Sequence, residues 1–330
     1  MTRVEHCLEL YKDWCEKLNI SKVSDVNRIV SENKTARLIN LSEIWHEQNI
    51  SEIAKKIKDN PSKKLILISG PSSSGKTSFA HRLQLHMRVL GMKAISISLD
   101  NYFTKIENMP LNDEGKADFE AFESINYKLF NEHIKELING GEISMPVFDF
   151  TKAVSVPNAK KMHLEDNEII IVEGIHALNE KLGMSVSEKQ KYRIYCTALT
   201  SLRNDDGTRI SSRTTRLVRR TVRDFYFRST SANFTFELWP NVEKGAQKNI
   251  YPYTDSADIV FNSSLLYEFG VYKSHVKKIF SNANIKPEYT QFENDIMSLT
   301  DKFEPIGEEL ICPMSIIKEF IGGSSLFLNF

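Results

Sequence analysis

The sequence predicts an α/β protein whose core is a five-stranded parallel sheet flanked by helices. Five short apolar runs, rich in β-branched residues, alternate with segments of helical periodicity: LILIS (65–69), AISISL (94–99), EIIIV (168–172), YRIYC (192–196) and ADIVF (257–261). Runs that are apolar on both faces are typical of strands buried in a parallel sheet. A glycine-rich segment directly after the first run supports the same class, because it would join a strand to a helix.

That segment, GPSSSGKTS, fits the pattern G-x-x-x-x-G-K-[ST] through Gly70, Gly75, Lys76 and Thr77. Glycines let consecutive backbone N–H groups turn toward a phosphate, and the following helix adds the positive end of its dipole. The alternative is a chance Ser/Gly-rich turn. The pattern predicts a P-loop NTPase fold, for which we expect the strand order 2-3-1-4-5. Its nucleotide-binding residues would be Gly70, Pro71, Ser72, Ser73, Ser74, Gly75, Lys76, Thr77 and Ser78.

Three segments are expected along the chain. Residues 1–60 show helical spacing and form an N-terminal extension, which ends at the linker DNPSKK (59–64). Residues 61–265 form the P-loop domain, and within it 141–165, around two prolines, reads as a β-hairpin lobe over the substrate. Residues 266–330 return to helical patterns and form a C-terminal extension.

Composition excludes several classes of function. The 43 basic and 43 acidic residues give a formal net charge of +0, which argues against binding nucleic acid or a membrane surface through bulk charge. The four cysteines lack metal-like spacing and indicate free thiols in a reducing compartment. The N-terminus lacks the apolar core of a secretory signal, and no apolar run approaches about 20 residues. We therefore expect a cytoplasmic protein with no membrane segment.

Two carboxylates follow predicted strands at the edge where ligands bind in parallel sheets. Asp100 ends the second run, in ISLDNYF, and could take the proton of an acceptor hydroxyl; the alternative is a turn or cap. Glu173 ends the third run, in IIIVEGIHAL, and could hold Mg²⁺; the alternative is a loop-facing glutamate. Phosphoryl transfer to a small alcohol requires both roles. Nearby His176 is expected to be packed or solvent-facing rather than catalytic.

An arginine cluster between residues 203 and 228 could supply the cations that phosphoryl transfer requires. A solvated basic helix and a nucleic-acid patch are the alternatives, but next to a P-loop the cluster favours a lid that closes over phosphate. The NKxD motif of regulatory GTPases is absent from the sequence. The eight arginines are Arg203, Arg209, Arg213, Arg216, Arg219, Arg220, Arg223 and Arg228.

Over about residues 63–265 the chain resembles the uridine kinase family, within the P-loop kinases that include phosphoribulokinase and pantothenate kinase. GPSSSGKT, SLDNYF, FDF, VEGIHAL and TRLVRRTVRD occur in the family's order. EGIHALN, WPNVEKGAQKNIYPY and the terminal EFIGGS resemble a bacterial-type subgroup. Longer members of this subgroup carry a segment that resembles part of threonyl-tRNA synthetase. Residues 1–60 of this chain weakly resemble the end of that segment.

The resemblance implies transfer of the γ-phosphoryl group of ATP or GTP to a nucleoside 5′-hydroxyl, with Mg²⁺. Asp100 would be the general base and would also lie near metal and acceptor, and Thr77 and Glu173 would hold the metal. Lys76 would handle phosphates. Glu120 and Arg216 would contact the sugar. Arg219, Arg220, Arg223 and Arg228 would form the lid, with Arg220 and Arg223 catalytic and Arg219 and Arg228 on ATP.

The predicted hairpin departs from the family pattern Y-D-F-x-x-H-x-R. Here FDFTKAVS places Phe148, Ala153 and Ser155 where the family has Tyr, His and Arg. Phe148 can stack on a base but cannot hydrogen-bond to it. Other recognition candidates are Tyr102, Phe103, Asp149 and Lys152. The acceptor could therefore be another alcohol, such as a sugar phosphate, pantothenate or a polyol.

A third possible function, of a different class, is that of a nucleotide-binding regulatory or RNA-associated protein. The zero net charge argues against this function. The expected partner is a small-molecule acceptor. We expect neither a membrane nor a nucleic acid as a partner, and whether the protein forms a homo-oligomer is left open.

Overall fold

The computed structural model describes residues 1–149, 154–281 and 283–327. The predicted positions Lys152 and Ala153 lie outside the described residues. Within these ranges no helix is both long and apolar enough to cross a membrane. The four cysteines are free thiols, as the sequence predicts.

A parallel five-stranded sheet forms the centre of the molecule. Its order along the sheet is β2-β5-β1-β6-β7, and all four pairings are parallel. The hairpin contributes β3 and β4 to the numbering, so counted among the five sheet strands alone the order is 2-3-1-4-5. The strands are β1 (Leu65–Ser69), β2 (Lys93–Ser98), β3 (Glu142–Asp149), β4 (Val154–His163), β5 (Glu168–Glu173), β6 (Lys191–Thr197) and β7 (Ile259–Asn262).

Helices cover both faces of the sheet, and this explains the continuously apolar strands. Every residue of β1 is buried. Ile66 and Ile68 belong to one hydrophobic cluster, whereas Leu65 and Leu67 belong to another, because successive side chains point to opposite faces. The helices are α1 (Arg3–Lys17), α2 (Val23–Ser31), α3 (Thr35–Lys58), α4 (Lys76–Val89), α5 (Tyr127–Ile138), α6 (Ser212–Phe227), α7 (Ala232–Asn249), α8 (Glu268–Ser281), α9 (Thr290–Thr300) and α10 (Lys318–Ile321).

The predicted hairpin is present as an antiparallel pair, β3 with β4, outside the main sheet. Ile143, Met145 and Phe148 on β3 are buried, whereas most of β4 is exposed. The hairpin is held at the carboxyl edge of the sheet, since the Phe148 N–H donates to Asn101 Oδ1 at 3.2 Å, just after β2. It therefore lies beside the cleft.

The N-terminal extension shares its core with the sheet. Trp14 of α1 stacks on Trp45 of α3 at 4.7 Å between ring centroids. His46 Nε2 of α3 lies 3.0 Å from the carbonyl oxygen of Ser264, and Arg82 of α4 pairs with Glu47 at 2.7 Å. The predicted boundary near residue 60 lies between α3 and β1, but one hydrophobic cluster spans it.

Candidate active site

The loop between β1 and α4 has the backbone geometry that its sequence predicts. Ser73 and Gly75 have φ of 63° and 82°, in the left-handed region. A Cβ on Gly70 would lie 2.1 Å from the carbonyl oxygen of Cys196, so the close approach of β1 to β6 requires glycine there. Helix α4 begins at Lys76 without a side-chain cap at Gly75. The loop therefore presents backbone N–H groups to an anion at its centre.

Two adjoining cavities lie at the carboxyl edge of the sheet. The first, of about 100 Å³, contains the loop, and we call it the phosphate cavity; the second, of about 240 Å³, we call the acceptor cavity. Both are lined by Ser72, Asp100, Ile175 and Arg228. The phosphate cavity is further lined by Ser73, Gly75, Lys76, Thr77, Glu173, Gly174, Arg223 and Glu319.

The sheet register brings the two predicted carboxylates together. Ser98 at the end of β2 lies opposite Glu173 at the end of β5, and Asp100 follows in a 3₁₀ turn. Burial, followed by repulsion from Asp100, raises the pKa of Glu173 to about 7. Burial also raises the pKa of Asp100, although Lys76, Arg228 and Arg223 oppose the shift. Two crowded carboxylates would be stabilised as anions by a bound cation.

Thr77, Asp100 and Glu173 line the phosphate cavity together, so oxygen ligands suited to Mg²⁺ are available there. In the part of the chain that the structure describes, no group of three or more His, Cys, Asp or Glu side chains could hold a metal. A metal at this place would accordingly share its ligands between the Thr77 hydroxyl, one or two carboxylates and a phosphate chain.

Three of the predicted lid arginines converge on one carboxylate. Asp224 lies 3.3 Å from Arg220, 2.8 Å from Arg223 and 3.6 Å from Arg228, measured between charged atoms. Arg220 also donates from Nη1 to Ser72 Oγ in the loop at 2.8 Å. Repulsion from Arg223 lowers the pKa of Arg228 to about 10. The cleft thus carries more positive than negative charge on this side and would attract phosphate.

The other predicted phosphate and sugar arginines lie elsewhere. Arg219 is buried behind the loop, where Nε pairs with Glu268 at 2.8 Å and Nη1 and Nη2 bond to Ser263. Arg216 is buried against Trp239, paired with Glu243, and borders a separate cavity of about 320 Å³. Neither lines the phosphate or the acceptor cavity. A nucleotide contact for Arg219 and a sugar contact for Arg216 remain predictions.

The acceptor cavity combines aromatic and acidic walls. Phe103, Phe119 and Glu120 line it, as does Asn241 of α7, which donates to Asp118 at 2.9 Å. Burial raises the pKa of Glu120 to about 7. Phe148 does not line the cavity directly; it packs edge-on against Phe103 at 5.2 Å. It supports the aromatic wall from behind.

Two predicted site residues, Tyr102 and Asp149, line neither the phosphate cavity nor the acceptor cavity. Tyr102 is buried and its hydroxyl lies 3.0 Å from His133 Nδ1. Asp149 is the last residue of β3 and the last described residue before position 154. His176 is buried edge-on against Phe122 at 5.6 Å, in keeping with the packed role predicted for it. Burial lowers the pKa of His176 to about 4, so it is neutral at pH 7.

Sequence reasoning missed residues that line the cleft from distant segments. Lys116, paired with Glu237 of α7 at 2.6 Å, lines the acceptor cavity, and Glu319 of α10 lines the phosphate cavity. No motif marks them, because each reaches the cleft through tertiary packing. The EFIGGS string around Glu319 was recognisable only as a resemblance, with no chemistry attached to it.

Comparison with known proteins places this geometry in a family. A sequence model of the protein family described as "Phosphoribulokinase / Uridine kinase family" matches residues 65–266, more than half of the chain. A uridine kinase of Halobacterium salinarum is 30% identical over 114 residues, which are 34% of this chain and 48% of that protein. A uridine kinase of Bacillus pumilus is 24% identical over 197 residues, which are 59% and 84% of the two chains.

A solved structure from Bacillus stearothermophilus, described as a possible uridine kinase, aligns with a TM-score of 0.44 at 16% identity, covering 65% of this chain and 98% of that chain. The chain spans about half the length of several curated relatives that it matches. The family match contains the P-loop, both carboxylates and the arginine helix. The chain therefore belongs to the phosphoribulokinase/uridine kinase family.

Proposed function

We propose that this protein is a kinase that transfers the γ-phosphoryl group of ATP or GTP to the 5′-hydroxyl of a nucleoside of the uridine or cytidine type. The observation that carries the proposal is the position of Asp100, on the wall shared by the phosphate and acceptor cavities. A carboxylate there can contact an acceptor hydroxyl while phosphate occupies the loop. This is the geometry that in-line transfer requires.

The charge of the acceptor cavity favours a neutral acceptor. Its ionisable lining residues are four acids, Asp100, Glu114, Glu120 and Glu237, and three bases, Lys116, Arg220 and Arg228. Lys116 is already paired with Glu237. Arg220 and Arg228 belong to the cluster of three arginines around Asp224, whose surplus charge the transferring phosphoryl group of the nucleotide would take up. An acceptor that carries its own phosphate would face this acidic lining without a dedicated cation. A nucleoside, with a planar base and sugar hydroxyls, suits aromatic and carboxylate walls better.

In the proposed reaction Asp100 orients the acceptor hydroxyl and accepts its proton. As the acceptor oxygen bonds to the γ-phosphorus, the bond from that phosphorus to the β,γ-bridging oxygen breaks, and ADP or GDP leaves. Lys76 and Thr77 hold the phosphate chain at the start of α4. Arg220, Arg223 and Arg228 neutralise charge that spreads over the transferring group, and preorganised donors of this kind contribute about 3–4 kcal/mol each. Mg²⁺, which Thr77, Asp100 and Glu173 would hold, supplies further charge neutralisation on the phosphates.

A second candidate acceptor is another small neutral alcohol. Phe148 and Ser155 are paired across the hairpin, at the positions where the family pattern has Tyr and Arg. Phe148 lacks the phenol hydroxyl of Tyr, and Ser155 lacks the guanidinium of Arg. Discrimination between bases usually depends on polar groups that stay unpaired with the wrong ligand. The altered hairpin motivates a polyol as the alternative to a pyrimidine nucleoside.

An acceptor screen separates these candidates. The purified protein is incubated with Mg·ATP or Mg·GTP and a panel of nucleosides, polyols, pantothenate and ribulose 5-phosphate, and production of ADP or GDP is measured. Stimulation by uridine or cytidine supports the proposal. Stimulation only by a polyol moves the function to the second candidate, and stimulation only by ribulose 5-phosphate contradicts the argument from cavity charge.

Replacement of the proposed base tests the mechanism. Asp100→Asn is expected to fold normally and to lower kcat by about 10²–10⁴, the range for a lost general base. The matched control is Asp113→Asn, because Asp113 is exposed and outside both cavities. A kcat for Asp100→Asn near that of the control would show that Asp100 is not the base.

A further inference from the structure

The C-terminal segment 315–321, which includes α10, packs directly on the phosphate loop. A Cβ on Gly75 would lie 2.8 Å from Ile316 Cγ2, so this side chain already touches the loop. Phe320 is fully buried beneath the guanidinium of Arg219, with 5.1 Å between the guanidinium carbon and the ring centroid. Ile316 and Phe320 thus anchor the segment on both sides of Glu319.

Between these anchors, the Glu319 carboxylate reaches the start of α4. Oε2 accepts a hydrogen bond from the Ser78 N–H at 3.0 Å, and Glu319 lines the phosphate cavity. Ser78 is the third residue of α4, so its N–H is one of the helix-start donors that have no partner within the helix. A carboxylate of the protein therefore occupies a donor that a phosphate oxygen would otherwise use.

We propose that Glu319 competes with the phosphate chain of the nucleotide for the first turn of α4, so that the side chain must leave Ser78 before the nucleotide is fully bound. The inference rests on the proposed function only in taking the phosphate cavity as the nucleotide site. One N–H cannot serve both anions, and two anions in one small cavity repel each other. Because Ile316 and Phe320 hold the backbone, Glu319 would leave Ser78 by rotation of its side chain rather than by movement of the whole segment.

Glu319 also acts on the metal side of the same cavity. Its negative charge is among the causes that raise the pKa of Glu173, behind burial and Asp100. The phosphate cavity is thus lined by three carboxylates, Asp100, Glu173 and Glu319, and by Lys76, Arg223 and Arg228. Withdrawal of Glu319 would leave the positive side of the cavity to the incoming phosphates.

A purely structural role is the competing explanation, because a carboxylate at a helix start also stabilises the helix. The two roles predict different changes in nucleotide affinity when Glu319 is removed. If Glu319 competes, its removal strengthens binding. If Glu319 only caps α4, its removal lowers the melting temperature and leaves affinity unchanged or weaker.

Isothermal titration calorimetry with ATP alone and with Mg·ATP, without acceptor, distinguishes them. Glu319→Gln removes the charge but keeps an acceptor for the Ser78 N–H, and Glu319→Ala removes both. We expect Kd for ATP to fall about tenfold in Glu319→Ala, a change of about 1.4 kcal/mol, and less in Glu319→Gln. The matched control is Glu309→Gln, exposed in the same C-terminal region and outside both cavities, for which Kd should not change.

An unchanged or higher Kd in both Glu319 variants overturns the competition, whatever their melting temperatures. If wild-type protein binds ATP and phosphorylates an acceptor while the variants match it, only this inference fails. If wild-type protein binds neither ATP nor Mg·ATP, the proposed function fails together with it.

Discussion

Arg219 and Arg223 lie one turn apart on the same helix, yet their surroundings differ in every respect that matters for function. Arg219 is enclosed in the core, and its guanidinium donates to Glu268 and twice to Ser263. Arg223 borders the phosphate cavity and shares the single carboxylate of Asp224 with Arg220 and Arg228. One charge is fully matched within the fold, whereas the other belongs to a group with surplus positive charge.

The difference shows how one arginine-rich helix can serve both scaffold and site. A buried pair with all its hydrogen bonds made keeps the loop, α6 and α8 in a fixed relation, since Arg219 Nη1 also lies 3.4 Å from the Ser73 carbonyl oxygen. A cluster with too few anions stays ready to bind one from solution.

The largest change in stability is expected from Arg219→Ala. It leaves Glu268 buried without its partner, and breaking a buried pair in this way costs about 3–5 kcal/mol. The free energy of unfolding, measured by denaturant titration, reports the loss. A variant as stable as wild type, but with reduced kcat, would show that Arg219 acts with the cleft arginines and would contradict its structural role.

Arg223→Ala should do the reverse. Asp224 keeps two other arginines, so the folded state loses little, whereas kcat should fall about 10²–10³ because a preorganised donor to the transferring phosphoryl group is missing. Steady-state kinetics with the acceptor found in the screen measures this. A kcat within twofold of wild type would show that the surplus charge in the cleft does not act on the reaction.

The crowded carboxylates of the cleft predict a pH-dependent stability. Folding raises the pKa of Glu173 from 4.5 to about 7, so between these values the folded protein binds more protons than the unfolded chain. The free energy of unfolding without nucleotide should therefore decrease as pH rises from 4.5 to 7. Glu173→Gln should be about 3 kcal/mol more stable than wild type at pH 8 and nearly equal to it at pH 4.

Chemical unfolding at several pH values tests the prediction for Glu173. Glu309→Gln is the matched control, since it removes an exposed glutamate and should leave the pH profile unchanged. A profile for Glu173→Gln that is parallel to wild type would mean that Glu173 is not perturbed by the cleft.

The smallest effect is expected at Arg213, one turn before the buried arginines. It is exposed and lies 3.4 Å from Glu243 in a surface ion pair. Such pairs contribute about 0–1 kcal/mol, so Arg213→Ala should change stability by no more than this and leave kcat unchanged. A loss of activity would extend the functional surface of α6 beyond the cleft side.

Local patterns predicted much of the fold. The run at 65–69 is β1 without any shift in its bounds, and the hairpin predicted at 141–165 appears as β3 and β4. These features depend on short-range signals, namely buried runs, glycines and turn residues. The bounds of β7 moved from 257–261 to Ile259–Asn262, because strand ends depend on pairing with β6.

The arginine run shows where local patterns stop. The sequence pattern assigned all eight arginines to one lid, but only three of them line the cleft. Arg219 forms an ion pair in the core. Arg203 forms isolated backbone β-bridges with Lys22 and Arg209 beside the N-terminal extension. Helical periodicity tells which residues share a face. It does not tell which element will cover that face.

The phosphate loop, the alternation of strands and helices, and the two carboxylates at strand ends could all be predicted from the sequence, because each depends on neighbours within a few residues. Two other features became visible only in the folded chain: Glu319 reaches Ser78 from 241 positions away, and three arginines share Asp224. Burial and charge pairing depend on which distant segments pack together, and short-range patterns in the sequence do not report that packing.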